Sequence, residues 1–197
     1  MIDYLKRTFH EDVGIAFVYC NYNEKGDQTV TNLIASLLQQ LIQRHPIVPN
    51  KIRTLYEQHI CKRTRPTLAE YSELLRLELT SCPRAFVVVD ALDECDDSSG
   101  TRSSFIADLL KLPPTTYLMI TSRDLPSIES ELGQFRRLEI RASDADVRIY
   151  LERRIATESR LKRHIQADPA LENTILETIV KKVEGMLVFH TAKPNLY

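Results

Sequence analysis

Five apolar residues, Ala85-Phe86-Val87-Val88-Val89, run without a break into Asp90, and Asp93, Glu94, Asp96 and Asp97 follow at once. A run of this kind, bounded by Pro83 and an acidic turn, predicts a strand buried on both faces, the habit of the centre of a parallel sheet. In open α/β sheets, ligands bind just beyond the carboxyl ends of the strands. Asp90, Asp93 and Glu94 therefore stand where a site is expected. Mg²⁺ takes one or two carboxylates and completes its shell with water and phosphate oxygens, so it is the ion this stretch suits. Asp96-Asp97-Ser98-Ser99-Gly100 reads as a solvated turn.

The flanking sequence alternates strands with helices. Met1 to Phe9 has Ile2, Leu5 and Phe9 at helical spacing, with the pattern already running at its first residue. Gly14 to Tyr22 reads as a second strand, and Thr29 to Arg44 as an amphipathic helix with Leu33, Leu37 and Leu41 in one row. Asn50 to Lys62 forms a more polar helix. Thr67 with Glu70 spells a capping box that opens another, stopped at Ser81-Cys82-Pro83. Ser103 to Leu112 is a short helix, Thr116 to Thr121 a third strand, and Ser127 to Leu132 a helical turn. Phe135 to Ile140 alternates apolar and charged residues like an edge strand. Ser143 with Asp146 caps a helix to about Glu158, and Ala170 to Val188 is the last long helix. This order predicts an α/β fold with a largely parallel sheet flanked by helices. The expected division is an α/β domain over 1–142 and the start of a helical subdomain over 143–197.

The bulk properties exclude several classes. Of 197 residues, 43% are hydrophobic and 27% charged, which suits a globular chain and not a disordered one. A formal net charge of −1 gives no basic field to attract nucleic acid. No apolar run is long enough for a membrane span, and the charged first residues do not resemble a secretory signal. Cys20, Cys61, Cys82 and Cys95 show neither metal-ligand spacing nor a disulfide framework, and read as reduced thiols of a cytoplasmic protein. The five histidines are scattered without metal spacing.

Two strand ends carry the candidate chemistry: Asp90 with Asp93 and Glu94, and Arg123 after the third strand. An arginine beside a carboxylate site can stabilise charge on a phosphoryl group. The plainer reading of Arg123 is a surface cation paired with Asp124.

Val87-Val88-Val89-Asp90-Ala91-Leu92-Asp93-Glu94 resembles the Walker B segment of NACHT domains, which belong to the signal-transducing (STAND) P-loop ATPases. Leu118-Met119-Ile120-Thr121-Ser122-Arg123 resembles their sensor 1 strand. Asp144 to Ile155 and Val183-Glu184-Gly185-Met186 resemble later helical segments. The likeness is greatest to the fungal group described as nephrocystin-like amino-terminal domains, often found ahead of ankyrin or WD repeats. The resemblance implies ATP or ADP with Mg²⁺ as cofactors, and switching between nucleotide states with assembly into oligomers. It gives Asp90 the Mg²⁺, held through water, and Glu94 the attacking water, with Asp93 in support. It makes Arg123 the sensor of the γ-phosphate.

One departure is large. The family's phosphate cradle is G-x-x-x-x-G-K-[ST]. None of Gly14, Gly26, Gly100, Gly133 and Gly185 stands in a Gly-Lys-Ser/Thr sequence. The expectation is a NACHT-type domain without its first strand and P-loop, inactive in ATP hydrolysis by itself, from a truncated gene product or gene model. The change to polar residues from His190 to Tyr197 points the same way. A second reading is a non-catalytic interaction or decoy module that pairs with copies of itself or with full-length relatives. A third takes Asp93-Glu94-Cys95-Asp96 as the DECD box of a helicase. Against it, the apolar strand terminates at Asp90, the next strand carries Thr-Ser-Arg, and the chain is short and not basic.

Overall fold

A computed structural model describes residues 2–9, 13–24, 26–141, 143–183 and 187–193. The chain divides into two compact units, residues 1–138 with 189–197, and residues 139–188.

The first unit is built on a parallel sheet. Its helices and strands are α1 (Ile2–Thr8), β1 (Val13–Tyr19), α2 (Val30–Ile42), α3 (Asn50–Lys62), α4 (Leu68–Ser81), β2 (Arg84–Asp90), α5 (Thr101–Leu109), β3 (Thr116–Ser122) and α6 (Pro126–Leu132). Strand β4 (Arg136–Arg141) follows, and β5 (Leu187–Lys193) comes after the helices of the second unit. The sheet order is β1-β2-β3-β5-β4. Strand β2 pairs in parallel with β1 on one side and β3 on the other, Val88 facing Phe17 and Met119. It is the middle strand of the parallel part of the sheet, as the apolar run predicts, with Ala85, Val87, Val88 and Val89 all buried.

Helix α2 covers the sheet because its leucines repeat at helical spacing. Leu33, Ile34, Leu37, Leu38 and Leu41 are buried, and α2 packs on β1, α4 and α5. Burying such a side chain contributes about 1.5–3 kcal/mol, so this row is a large part of the core. The helix starts where the Thr29 hydroxyl accepts the Asn32 N–H. Helix α4 starts at the expected capping box, with Thr67 N–H on Glu70 Oε2 at 2.7 Å and Glu70 N–H on Thr67 Oγ1 at 3.4 Å. Gly14 lies where β1 passes the ends of α2 and α4. A Cβ there would come within 2.8 Å of Cys82 Sγ, so only glycine lets these elements approach so closely.

The second unit holds α7 (Asp144–Thr157), α8 (Ser159–Ala167) and α9 (Ala170–Val183), which pack on one another. The Ser143–Asp146 capping box opens α7 as the sequence predicts.

Three expectations about elements are corrected. Strand β1 ends at Tyr19, and Tyr22–Glu24 forms a 3₁₀ turn, so Tyr19 and Tyr22 do not share a strand. Helix α8 occupies a stretch to which the sequence reading assigns no element, since Leu161 and Ile165 alone mark its apolar side. The last helix is described as far as Val183 and does not run to Val188. Leu187-Val188-Phe189 instead opens β5, which pairs antiparallel with β3, Thr121 facing His190. β-branched and aromatic residues favour a strand once a sheet edge is there to receive it. Glu184, Gly185 and Met186 of the expected helical segment lie outside the described residues.

Candidate functional site

Parallel pairing sets Val89 opposite Ile120, and this brings the carboxyl ends of β2 and β3 together. The Thr121 hydroxyl donates to Asp90 Oδ1 at 2.5 Å and accepts the Ala91 N–H at 2.9 Å. Thr121 is buried, so both bonds are shielded from competing water. They hold a sharp reversal. Ala91 adopts a left-handed conformation, φ 54°, and the chain passes from β2 straight into a 3₁₀ turn, Leu92–Glu94. Such a conformation costs a residue with a Cβ about 1–2 kcal/mol, and the Thr121 hydroxyl offsets part of it. Leu92 is fully buried and anchors the turn from below.

The turn aims its two carboxylates in different directions. Asp93 reaches β3, where its Oδ1 accepts the Arg123 N–H at 3.0 Å and its Oδ2 accepts Arg123 Nε at 2.6 Å. The Asp93 side chain is 5% exposed and that of Arg123 is 68% exposed. The hydrogen bond to Asp93 and its charge raise the Arg123 pKa above its ordinary value. Glu94 reaches the 3₁₀ turn after β1, where its Oε2 accepts the Tyr22 N–H at 3.2 Å. Cys20 N–H donates to the Asp90 carbonyl at 2.9 Å and ties the end of β1 to the same place.

All four residues singled out in the sequence thus lie on one rim of the sheet in the first unit. Arg123 is paired with Asp93, and not with Asp124 as the plainer reading has it; Asp124 pairs with Arg137 at 3.4 Å. Thr121 belongs to the segment that resembles a sensor 1 strand, and the resemblance assigns it no role. The signal for it is a hydroxyl next to the end of a buried strand, beside an aspartate-tipped one. The left-handed Ala91 had no such signal.

The donor set bears on which cation fits. Both oxygens of Asp93 are taken by Arg123. Among the described residues, Asp90 Oδ2 has no hydrogen-bond partner, and no group of three or more His, Cys, Asp or Glu side chains is placed to hold a metal. One carboxylate suits Mg²⁺, which keeps most of its water and phosphate ligands, and does not suit an ion that needs a cage of protein ligands.

The model of the nephrocystin 3 N-terminal family matches residues 1–123. The chain belongs to that family. Its matched span covers β1 to β3 and closes on Arg123. No curated protein and no solved structure compared with the chain matches it. Among the described residues of this nephrocystin 3 N-terminal family member, no helix is long and apolar enough to cross a membrane.

Proposed function

We propose that this chain carries the metal- and water-handling half of the nucleotide site of a NACHT-type signalling ATPase. The observation behind the reading is the linked set Asp90–Thr121 and Asp93–Arg123 at adjacent ends of two parallel strands. Asp90 would be the residue to hold Mg²⁺, through water, and the ion would supply positive charge against the phosphates. Glu94 positions the attacking water, with its carboxylate steadied by the Tyr22 amide. Asp93 works through Arg123. It pins Nε and leaves the exposed end of the guanidinium for a phosphate oxygen. Phosphoryl transfer depends mainly on positioning and charge stabilisation, so these roles are chemically sufficient for half a site.

The other half, a glycine-rich loop with its lysine, has no counterpart in the 197 residues. The 197-residue chain therefore binds Mg·ATP weakly or not at all and does not turn it over. The same lack supports the second reading, a non-catalytic module that pairs with full-length relatives. The helicase reading is weakened further, because it needs Asp93 on the metal and Arg123 takes both its oxygens.

The test is ATP hydrolysis and Mg·ATP binding by the purified chain, alone and mixed with a P-loop-containing relative. No turnover by the chain alone is expected. Mg²⁺-dependent hydrolysis lost in Glu94→Gln would overturn the half-site reading, since a complete site would then lie within these residues. Binding to the relative that is indifferent to Mg·ATP and to Asp90→Asn supports the interaction module.

A further inference from the structure

Strand β1 is the outer strand of the sheet, with β2 on one side only. Backbone groups along a strand alternate in direction with a period of two. Cys20 N–H donates to the Asp90 carbonyl of β2, so the even-numbered residues of β1 face the sheet. Phe17 N–H and C=O meet the Gln40 side chain, so the odd-numbered residues face outward. Val13 and Ile15 share that outward direction. Among the described residues, nothing bonds the Ile15 N–H or C=O on the outer side.

Val13 and Ile15 form the floor of a channel of about 960 Å³, which Gln40 closes at Phe17. Its walls stand on opposite faces of the sheet, because side chains alternate along a strand. On one face Lys6 of α1 lies over the Phe17 ring, 5.6 Å from its centroid. On the other, the Arg44 guanidinium comes within 3.3 Å of where a Cβ on Gly14 would stand. His45, bonded at 2.8 Å to Glu78 of α4, fixes this second wall. Among the described residues, neither Lys6 nor Arg44 is ion-paired.

Gln40 shows what the edge binds. Its side-chain amide takes both outward bonds of Phe17, at 3.0 and 2.8 Å, so an amide already stands where a further strand would run.

We propose that the channel beside Val13 and Ile15 receives an extended, acidic peptide segment of a partner protein as an added strand of the sheet, in line with Gln40. In this mode main-chain hydrogen bonds supply affinity and the flanking side chains supply specificity. Side chains of an added strand point alternately to the two faces. Each face offers one cation, Lys6 or Arg44, so carboxylates suit both. A second copy of β1 is the poorer occupant, because it brings its own Lys6 and Arg44 against these. Val13 and Ile15 pair with Arg84 and Phe86, at the opposite end of β2 from Asp90, so the inference does not depend on nucleotide binding.

The test begins by panning a displayed library of random octapeptides on the full chain. Enriched sequences should alternate acidic and apolar residues, and the Lys6→Glu/Arg44→Glu chain should enrich none of them. No enrichment, or enrichment that this double variant keeps, would overturn the proposal. An enriched peptide is then made with one or the other alternate set of its amides methylated, and fluorescence anisotropy measures its binding. Methylating the set that faces β1 should weaken binding roughly tenfold, and methylating the set that faces away should be tolerated. Equal tolerance of both sets rules out an added strand. Ile15→Pro removes the outward N–H and spares the β1–β2 ladder, so it should weaken binding by a similar factor. The methylated peptides are read on the unsubstituted chain, so they decide the matter even if Ile15→Pro fails to fold. Sedimentation completes the test. A dimeric chain that the peptide splits would make a second copy the occupant and overturn the assignment to an acidic partner.

Discussion

Arg123 grips Asp93 at two points, backbone N–H on Oδ1 at 3.0 Å and Nε on Oδ2 at 2.6 Å, with the carboxylate buried and the guanidinium largely in water. The asymmetry decides which partner matters more. Arg123→Ala strands a carboxylate that is 5% exposed, a loss of about 1–3 kcal/mol. Asp93→Asn keeps an acceptor for the Arg123 N–H and frees an arginine that water can solvate, so it costs less. Urea unfolding of the two variants checks the order. Equal midpoints would mean the pair behaves as an ordinary surface ion pair, worth little.

Thr121 bridges Asp90 and Ala91 through one oxygen. Thr121→Val preserves shape and removes both hydrogen bonds, leaving the Ala91 N–H without its acceptor. The expected loss is about 1–3 kcal/mol, and Thr121→Ser recovers most of it. Thermal unfolding of the three chains gives the answer. If valine is tolerated as well as serine, the hydroxyl does not hold the turn.

Much of this fold was legible because its segments speak locally. The apolar run from Ala85 to Val89 could be little else than a buried strand, the leucine row of α2 faces one way, and the Thr67 and Ser143 boxes mark helix starts within a residue. The rest depended on partners far away in sequence. Leu187 to Lys193 becomes a strand because β3 offers it an edge, which no local pattern states. The site shows the same division. Asp90, Asp93, Glu94 and Arg123 stand out as residue types at strand ends. That Asp93 would choose Arg123 and that Glu94 would choose the Tyr22 amide follows from strand register.

Glu70 links acid stability to one helix start. Its carboxylate accepts the Thr67 N–H and hydroxyl and lies 3.2 Å from His59 Nε2. These bonds, the Thr67 amide first, lower its pKa from 4.5 to about 2. A pKa depressed by folding contributes stability that is complete above the unfolded value and is lost as pH falls through the folded one. Between about pH 4.5 and 2, the chain should therefore lose stability that Glu70→Gln lacks at every pH, and the two melting curves should converge in acid. A constant difference across that range would rule out the Thr67–Glu70 box as its source.

Strand β1 lies at the edge of the sheet, and Gln40 from α2 covers part of it. The Gln40 side-chain amide accepts the Phe17 N–H at 3.0 Å and donates to the Phe17 carbonyl at 2.8 Å, the two bonds a neighbouring strand would make. Open edges invite pairing with another chain, so Gln40 acts as a one-residue cover. Gln40→Ala exposes the Phe17 backbone and removes two hydrogen bonds, a loss of about 1–2 kcal/mol. Its larger effect should be on association, with light scattering detecting assemblies at lower protein concentration than in the unsubstituted chain. Gln40→Asn, one methylene shorter, should not restore the cover. If Gln40→Ala associates no more readily, β1 is protected by something other than this amide. A second substitution, Ile15→Lys on the outward backbone register of the same strand, should then leave association unchanged as well; if Gln40 is the cover, it should suppress the assembly that Gln40→Ala permits.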